Sequence, residues 1–263
     1  MKTNKTWTLL LDGDMFAFRA CTSCEHEVNW GQLWTLHVDL EEAKAKFTEI
    51  VTTAIERAME RLTAHIKEDI DYSIVFAFSS KNNFRKKILS TYKQNRVGKR
   101  KPVAYSALVE WVKTLEGSIS LEVDGLEADD CLGIYATKSK NFNQCVVISG
   151  DKDMKCIPSY HYDFIRDEFE LISKESAYRN FLTQALIGDT TDGYSGCPKI
   201  GKVTAGKLLD KECSWQTVVE AYKKAGLSEE YALEQARMAR ILLADNWDSK
   251  KKEVILWKPT ELD

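Results

Sequence analysis

The chain predicts an α/β fold, a mainly parallel sheet with helices on both faces, followed by a small helical lobe. Three observations carry that expectation: four short apolar runs set far apart, amphipathic helical patterns between them, and a last third that turns helical and charged. With 263 residues, 44% of them hydrophobic, the chain can bury one large core.

The apolar runs fall at 6–11, 73–78, 118–123 and 145–149. Each is rich in β-branched, Leu or aromatic residues and halts at polar ones, as a strand covered on both faces does. The clearest helix carries Leu40, Ala43, Phe47, Ile50, Val51, Ala54, Ile55, Ala58, Leu62 and Ile66 on one face, in steps of three and four. Asp39 followed by Glu42 forms a capping pair at its start. Further helices are expected over 105–115, 127–137 and 174–187. Beyond them Gly196, Pro198 and Gly201 mark a tight turn between two helices. The expected division is a core over 1–187 and a helical lobe with a tail over 188–263, in which 254–258 returns as a strand or extends. No internal repeat or low-complexity segment interrupts this order.

A net charge of −3 argues mildly against a polyanionic partner, but the charge is segregated. From Lys81 to Lys101 there are nine basic residues and no acid. The N-terminal apolar run is too short for a signal peptide, and no window suits a membrane span. Seven Cys fit reduced thiols in a cytoplasmic protein. Cys21 and Cys24, with His26 nearby, have the spacing of half a zinc site, but nothing completes it, and buried or loop thiols are expected.

In parallel sheets the ligand site lies beyond the C-terminal strand ends. The first strand leads there into Asp12 and Asp14, the third into Glu127, Asp129 and Asp130, and the fourth into Asp151 and Asp153. Asp189 and Asp192 follow the helix ending near Ile187. One such pair is ordinary turn chemistry. Several delivered to one edge need compensation, which hard divalent cations with oxygen ligands supply. Glu127, Asp129 and Asp130 share one site only in the first turn of a helix; otherwise Asp129 acts through water or as a cap. None of the four His sits in a catalytic pattern, which fits chemistry carried by metals.

The basic stretch holds Phe84-Arg85-Lys86-Lys87, Tyr92-Lys93-Gln94-Asn95-Arg96 and Lys99-Arg100-Lys101. It has no acid of its own to pair with and begins just past a strand end, so it is expected to address phosphates beside the acids. The segment from Gly196 to Ala205, with Lys199, Gly201, Lys202 and Thr204, has the pattern of a helix-hairpin-helix turn whose amides and lysines hold duplex backbone.

Assembled, LLLDGDMFAF, FRKKILSTYKQNR, GLEADD, VVISGDKDM and LIGDTTDGYSG with the hairpin resemble the flap endonuclease and 5′→3′ exonuclease family. Within it the chain most resembles the short, single-protein 5′→3′ exonucleases of tailed bacteriophages. A weaker likeness runs through QARMARILLADNWDSKKKEVILWKP, so nearly the whole chain is covered. The resemblance implies a PIN/FEN-like core, two Mg²⁺ with Mn²⁺ as a substitute, and hydrolysis of duplex DNA from 5′ ends, nicks or flaps to leave 5′-phosphates. RNA in RNA–DNA hybrids is an additional implied substrate, and DNA replication and degradation the implied roles, in the bacterial host cytoplasm. It places Asp12, Glu127, Asp129 and Asp130 at one metal, and Asp151, Asp153, Asp189 and Asp192 at the other. Arg85, Lys93 and Arg96 become arch residues that hold the scissile phosphate, with Lys86 beside them and Tyr92 stacking near the 5′ end. The hairpin, Gly196 included, is implied to bind DNA together with K⁺.

Two departures stand out. Ser80 occupies the place of an aspartate usual after the second strand, leaving Asp14 to compensate or the hydroxyl to orient a water. Lys199 and Lys202 replace residues that are often Gly and Pro, which weakens the case for K⁺. Two other readings are compatible with parts of the chain: a haloacid-dehalogenase-type phosphatase with Asp12 as nucleophile, and a DNA-structure-binding protein with an impaired metal site.

Overall fold

The computed structural model describes residues 6–68, 70–138 and 143–260; the first residues of the N-terminal run, 1–5, lie outside them. In chain order the elements are β1 (Thr6–Asp12), α1 (Gly13–Cys24), β2 (His26–Asn29), β3 (Trp34–His37), α2 (Leu40–Ile66), β4 (Asp71–Phe78), α3 (Arg85–Ile88), α4 (Tyr105–Val112) and β5 (Ser118–Glu122). They continue with α5 (Ala128–Thr137), β6 (Cys145–Ile148), β7 (Tyr160–Asp163), β8 (Glu168–Leu171), α6 (Lys174–Ile187), α7 (Lys202–Lys211), α8 (Trp215–Lys224), α9 (Glu229–Ala239), β9 (Trp247–Asp248) and β10 (Glu253–Val254).

The main sheet has six strands in the order β5-β4-β1-β6-β7-β8. All neighbours are parallel except β7 and β8, which form an antiparallel edge pair. β1 lies between β4 and β6, and Leu9, Leu10 and Leu11 are fully buried. Each such side chain contributes about 2 kcal/mol. Alternation sends Leu9 and Leu11 into a cluster with α1, α2 and α4, and Leu10 into one with α5 to α9. That second cluster runs from the sheet to Trp257, so core and lobe share one apolar interior.

The expected strands and the helices over 40–66 and 174–187 are all present. Asp39 does cap α2, but its carboxylate accepts from Glu41 N, one residue before the expected partner. Near the end, only Glu253–Val254 forms a strand, paired with β9, and Trp257 packs edge-on against Phe181 and Trp215. All seven cysteines are free thiols, and Cys21 and Cys24 are buried, so the half zinc spacing reflects packing.

Two close backbone crossings fix the lobe, one against the core and one where the lobe begins. A Cβ on Gly133 of α5 would lie 2.4 Å from the Leu242 carbonyl oxygen. Gly188 and Gly196, both at positive φ, cross so closely that a Cβ on Gly196 would lie 2.3 Å from Gly188 N. Gly133→Ala is expected to cost roughly 1–3 kcal/mol through overpacking, read as a lower urea midpoint; an unchanged midpoint would mean that this joint has slack.

Candidate active site

The acids gather where the sheet order reverses, between β1 and β6, at the C-terminal strand ends. Asp12 closes β1 and caps α1, accepting from Met15 N at 3.2 Å and Ser149 Oγ at 2.9 Å. Asp151 follows β6 and accepts from Asp153 N at 2.9 Å. Glu127 is the N-cap of α5, so Asp129 and Asp130 fall in its first turn, as a shared site requires. One oxygen from each of these three lies within 4.8 Å of the others. Both aspartates take first-turn amides: Asp130 Oδ2 accepts from Glu127 N at 3.2 Å and Asp129 Oδ1 from Asp130 N at 2.8 Å. Asp189 orders its own loop by accepting from Thr191 N and Asp192 N.

These groups feel one another. Burial, and after it the charge of Asp14, pushes the Asp12 carboxyl up to about 7. Burial and Asp151 push Asp153 up to about 6, with Asp189 and Asp192 adding to the effect. Asp129 is raised well above the usual range by burial and by Asp130 and Glu127. Asp192 is raised by burial although Lys93 and Arg96 oppose it. Glu127 goes the other way, to about 2: burial works against its charge, but Arg85 and Lys93 outweigh it.

The stretch 81–101 arches over this edge, and four of its cations, Arg85, Lys93, Arg96 and Arg100, are paired with acids distant in sequence. Lys93 Nζ bonds Glu127 and lies 3.5 Å from Asp192. Arg96 meets Asp192 at 2.6 Å. Lys93 takes a left-handed backbone and donates its N–H to Asp192 O. Lys86 and Lys87 point outward and are exposed.

Five expected roles change. Arg85 is only 2% exposed and bonds Asp130 and Glu127, so it has no face for a phosphate. Tyr92 is 3% exposed, with its hydroxyl on Glu127 and Asp192 and with Lys93 over its ring, which leaves no face for base stacking. Ser80 Oγ is committed to Asn82 O and Gly125 N, stitching two loops together. Asp14 is engaged in the scaffold, its oxygens accepting from Ser79 N and Tyr105 OH. Gly196 is buried and spends its N–H on Gln235 Oε1, so its glycine answers to the crossing with Gly188. By contrast Lys199, Gly201, Lys202 and Thr204 form a continuous exposed surface at the start of α7.

Supporting residues escaped the sequence reading. Ser149 holds Asp12, Tyr105 holds Asp14, and Ser79 Oγ accepts from Ala128 N at the start of α5. Ser149 and Ser79 do sit beside the acidic motif and the strand end; Tyr105 carries no such signal.

An all-oxygen acid cluster at a parallel sheet edge, roofed by a basic arch, defines a protein built for charged phosphate chemistry. The chain belongs to the 5′-3′ exonuclease family: residues 7–182 match the family's N-terminal, resolvase-like domain. It is 29% identical over 287 residues to the exodeoxyribonuclease of Enterobacteria phage T3, covering 95% of this chain and 92% of that protein. The exonuclease of Escherichia phage T7 is likewise 29% identical, covering 95% and 93%. Among solved structures, T5 5′-exonuclease with bound zinc superposes with a TM-score of 0.62 at 16% identity over 89% of each chain. The catalytic core of Rad2 in complex with DNA substrate gives 0.50 at 13%, covering 84% of this chain and 66% of that one. At such identities the structural likeness shows the fold. Family membership sets the phosphatase alternative aside.

The raised carboxyls give a pH prediction. An acid held up at about 7 or about 6 still carries its proton just below that pH, and a cation must displace it. Mn²⁺ binding is therefore expected to strengthen as pH rises through 6 to 7, releasing more protons at pH 6 than at pH 8. Calorimetry in buffers of different ionisation enthalpy measures this; no buffer dependence at pH 6 would contradict the shared acid field.

Proposed function

We propose that this chain is a divalent-cation-dependent nuclease that hydrolyses phosphodiesters in duplex DNA at 5′ ends, nicks and flaps, leaving 5′-phosphates. One observation carries the reading: carboxylates from β1, the β5–α5 turn, the segment after β6 and the loop after α6 meet at one sheet edge, and the arch sets Lys93 and Arg96 against them. The names of the T3 and T7 relatives supply the activity that this arrangement suits.

The donors fit hard cations, since every one is a carboxylate oxygen and several sit above their usual pKa through mutual repulsion and burial. Asp12, Glu127, Asp129 and Asp130 are the residues expected at one ion, but Asp130 is wholly buried and bonded to Arg85, which leaves the other three to hold it; Asp151, Asp153, Asp189 and Asp192 are assigned to a second. Mg²⁺ or Mn²⁺ there would supply a water acidic enough to attack and a charge to stabilise the leaving oxygen. Lys93 and Arg96 hold the scissile phosphate by charge-assisted hydrogen bonds. Because they address phosphate and not base, the RNA strand of an RNA–DNA hybrid belongs to the same substrate class.

The lobe supplies the grip. Gly201 caps α7 without a side chain, so the first amides of that helix are open, and Lys199 and Lys202 flank them with no ion pair among the described residues. With two lysines already there, K⁺ takes at most a subsidiary place in the hairpin. No helix is long and apolar enough to cross a membrane. Duplex DNA in a bacterial host cytoplasm is the proposed setting.

Asp153→Ala is expected to abolish hydrolysis of end-labelled nicked, flapped and blunt duplexes in Mg²⁺ while leaving duplex binding in chelator intact. Wild-type turnover in that variant would remove Asp153 from the site. Lys93→Ala should lower turnover on 5′-ended substrates, whereas Lys199→Ala should weaken duplex binding and reduce its salt slope by about one. An unchanged slope would refute the hairpin assignment.

A further inference from the structure

The guanidinium of Arg85 offers five N–H donors, and all five are occupied. Nε donates to Met238 O at 3.2 Å. Nη1 donates to Glu127 Oε2 at 3.2 Å and Asp130 Oδ2 at 2.7 Å. Nη2 donates to Asp130 Oδ1 at 2.8 Å and Arg240 O at 2.6 Å. The carboxylate of Asp130 is equally full. Its Oδ1 accepts from Arg85 and from Leu242 N at 3.0 Å, and its Oδ2 from Arg85 and from Glu127 N at 3.2 Å. A carboxylate has about four lone-pair sites, so none is left over. Asp130 is wholly buried and Arg85 nearly so.

We infer that Arg85 and Asp130 form a saturated lock that positions the acidic turn of α5 rather than touching phosphate or cation. The lock joins three segments that come from far apart in the chain: the near foot of the arch, the turn carrying Glu127 and Asp129, and the end of α9 with the extended residues after it, Met238 to Leu242. Arg85 is thus a positioning residue acting through Asp130 and Glu127, and Asp130 fixes the frame in which its two acidic neighbours face outward. A lysine cannot replace it, because one ammonium has three donors and no planar fork to span both carboxylate oxygens. The inference deepens the reading of the acid cluster given under Proposed function and rests on it.

The test uses the full-length chain with Arg85→Lys, Arg85→Met, Asp130→Asn and the double variant Arg85→Met/Asp130→Leu. Salt dependence of duplex binding in chelator and Mn²⁺ binding by electron paramagnetic resonance are read beside kcat and KM. The lock predicts an unchanged salt slope in every Arg85 variant, since Arg85 neutralises no phosphate. It also predicts kcat at least tenfold lower in Arg85→Lys with KM little changed. The double variant should bind as many Mn²⁺ ions as wild type and be more stable than Arg85→Met, because removing both partners of a buried pair leaves no bare charge. A salt slope lower by about one in Arg85→Met would place Arg85 on a phosphate, and the loss of one bound Mn²⁺ in the double variant would make Asp130 a ligand. Either result overturns the inference. Should Arg85→Met fail to fold, the double variant, which also lacks the guanidinium, carries the salt slope, and Asp130→Asn carries the Mn²⁺ count, being expected to keep the wild-type number. If wild type degrades no duplex, the nuclease reading falls, while the salt slopes and Mn²⁺ counts still decide the lock.

Discussion

Carboxylates crowded at one edge of a sheet repel one another, and the architecture around that edge can be understood as the management of that repulsion. Some of it is met by protons, as the raised Asp12 and Asp153 show. Some is met by cations of the chain itself, with Lys93 and Arg96 brought down onto Glu127 and Asp192. The remainder is available to divalent ions. A site that must take up such ions and a phosphate together cannot be neutralised once and for all by buried partners. The division of labour among the basic residues follows: Arg85 is permanently committed inside, Lys93 is partly exposed, and Arg96 is half open to solvent.

The fold serves this edge by fixing where β1 ends. β1 is covered on both faces and flanked on both sides, so Asp12 leaves the sheet at a fixed point. The helix caps do similar work at shorter range. Asp12, Glu127 with Asp130, and Asp151 each order a helical first turn while presenting acid to the same region. Capping and acid placement are therefore one design, in which the backbone amides that stabilise a carboxylate also aim it.

Much of this was legible in the sequence, for identifiable reasons. Buried parallel strands are short apolar runs, and a long one-faced helix such as α2 repeats its signal many times. α1 was hidden because it begins directly at the end of β1 with no intervening loop, so its Phe16, Ala17 and Ala20 read as a continuation of the motif. β7 and β8 were hidden because they are four-residue strands with polar and aromatic residues mixed. The acids were found because Asp and Glu at strand ends declare their chemistry locally. Roles that depend on distant partners were not: nothing near Arg85 announces that its carbonyl partners lie at Met238 and Arg240. Tyr92 misled for the same reason, since an aromatic among cations reads as a stacking platform until Glu127 and Asp192 are seen to hold its hydroxyl.

The crossing of Gly188 over Gly196 has a mechanical meaning. On one side of that contact begins the loop of Asp189 and Asp192; on the other begins the turn leading to Lys199 and α7. Two backbones that touch with no side chain between them transmit displacement without slack. On the proposed roles of hairpin and acids, a duplex held by the one would stand at a set span from the other, and the joint would act as a ruler, measuring from paired DNA to the bond that breaks.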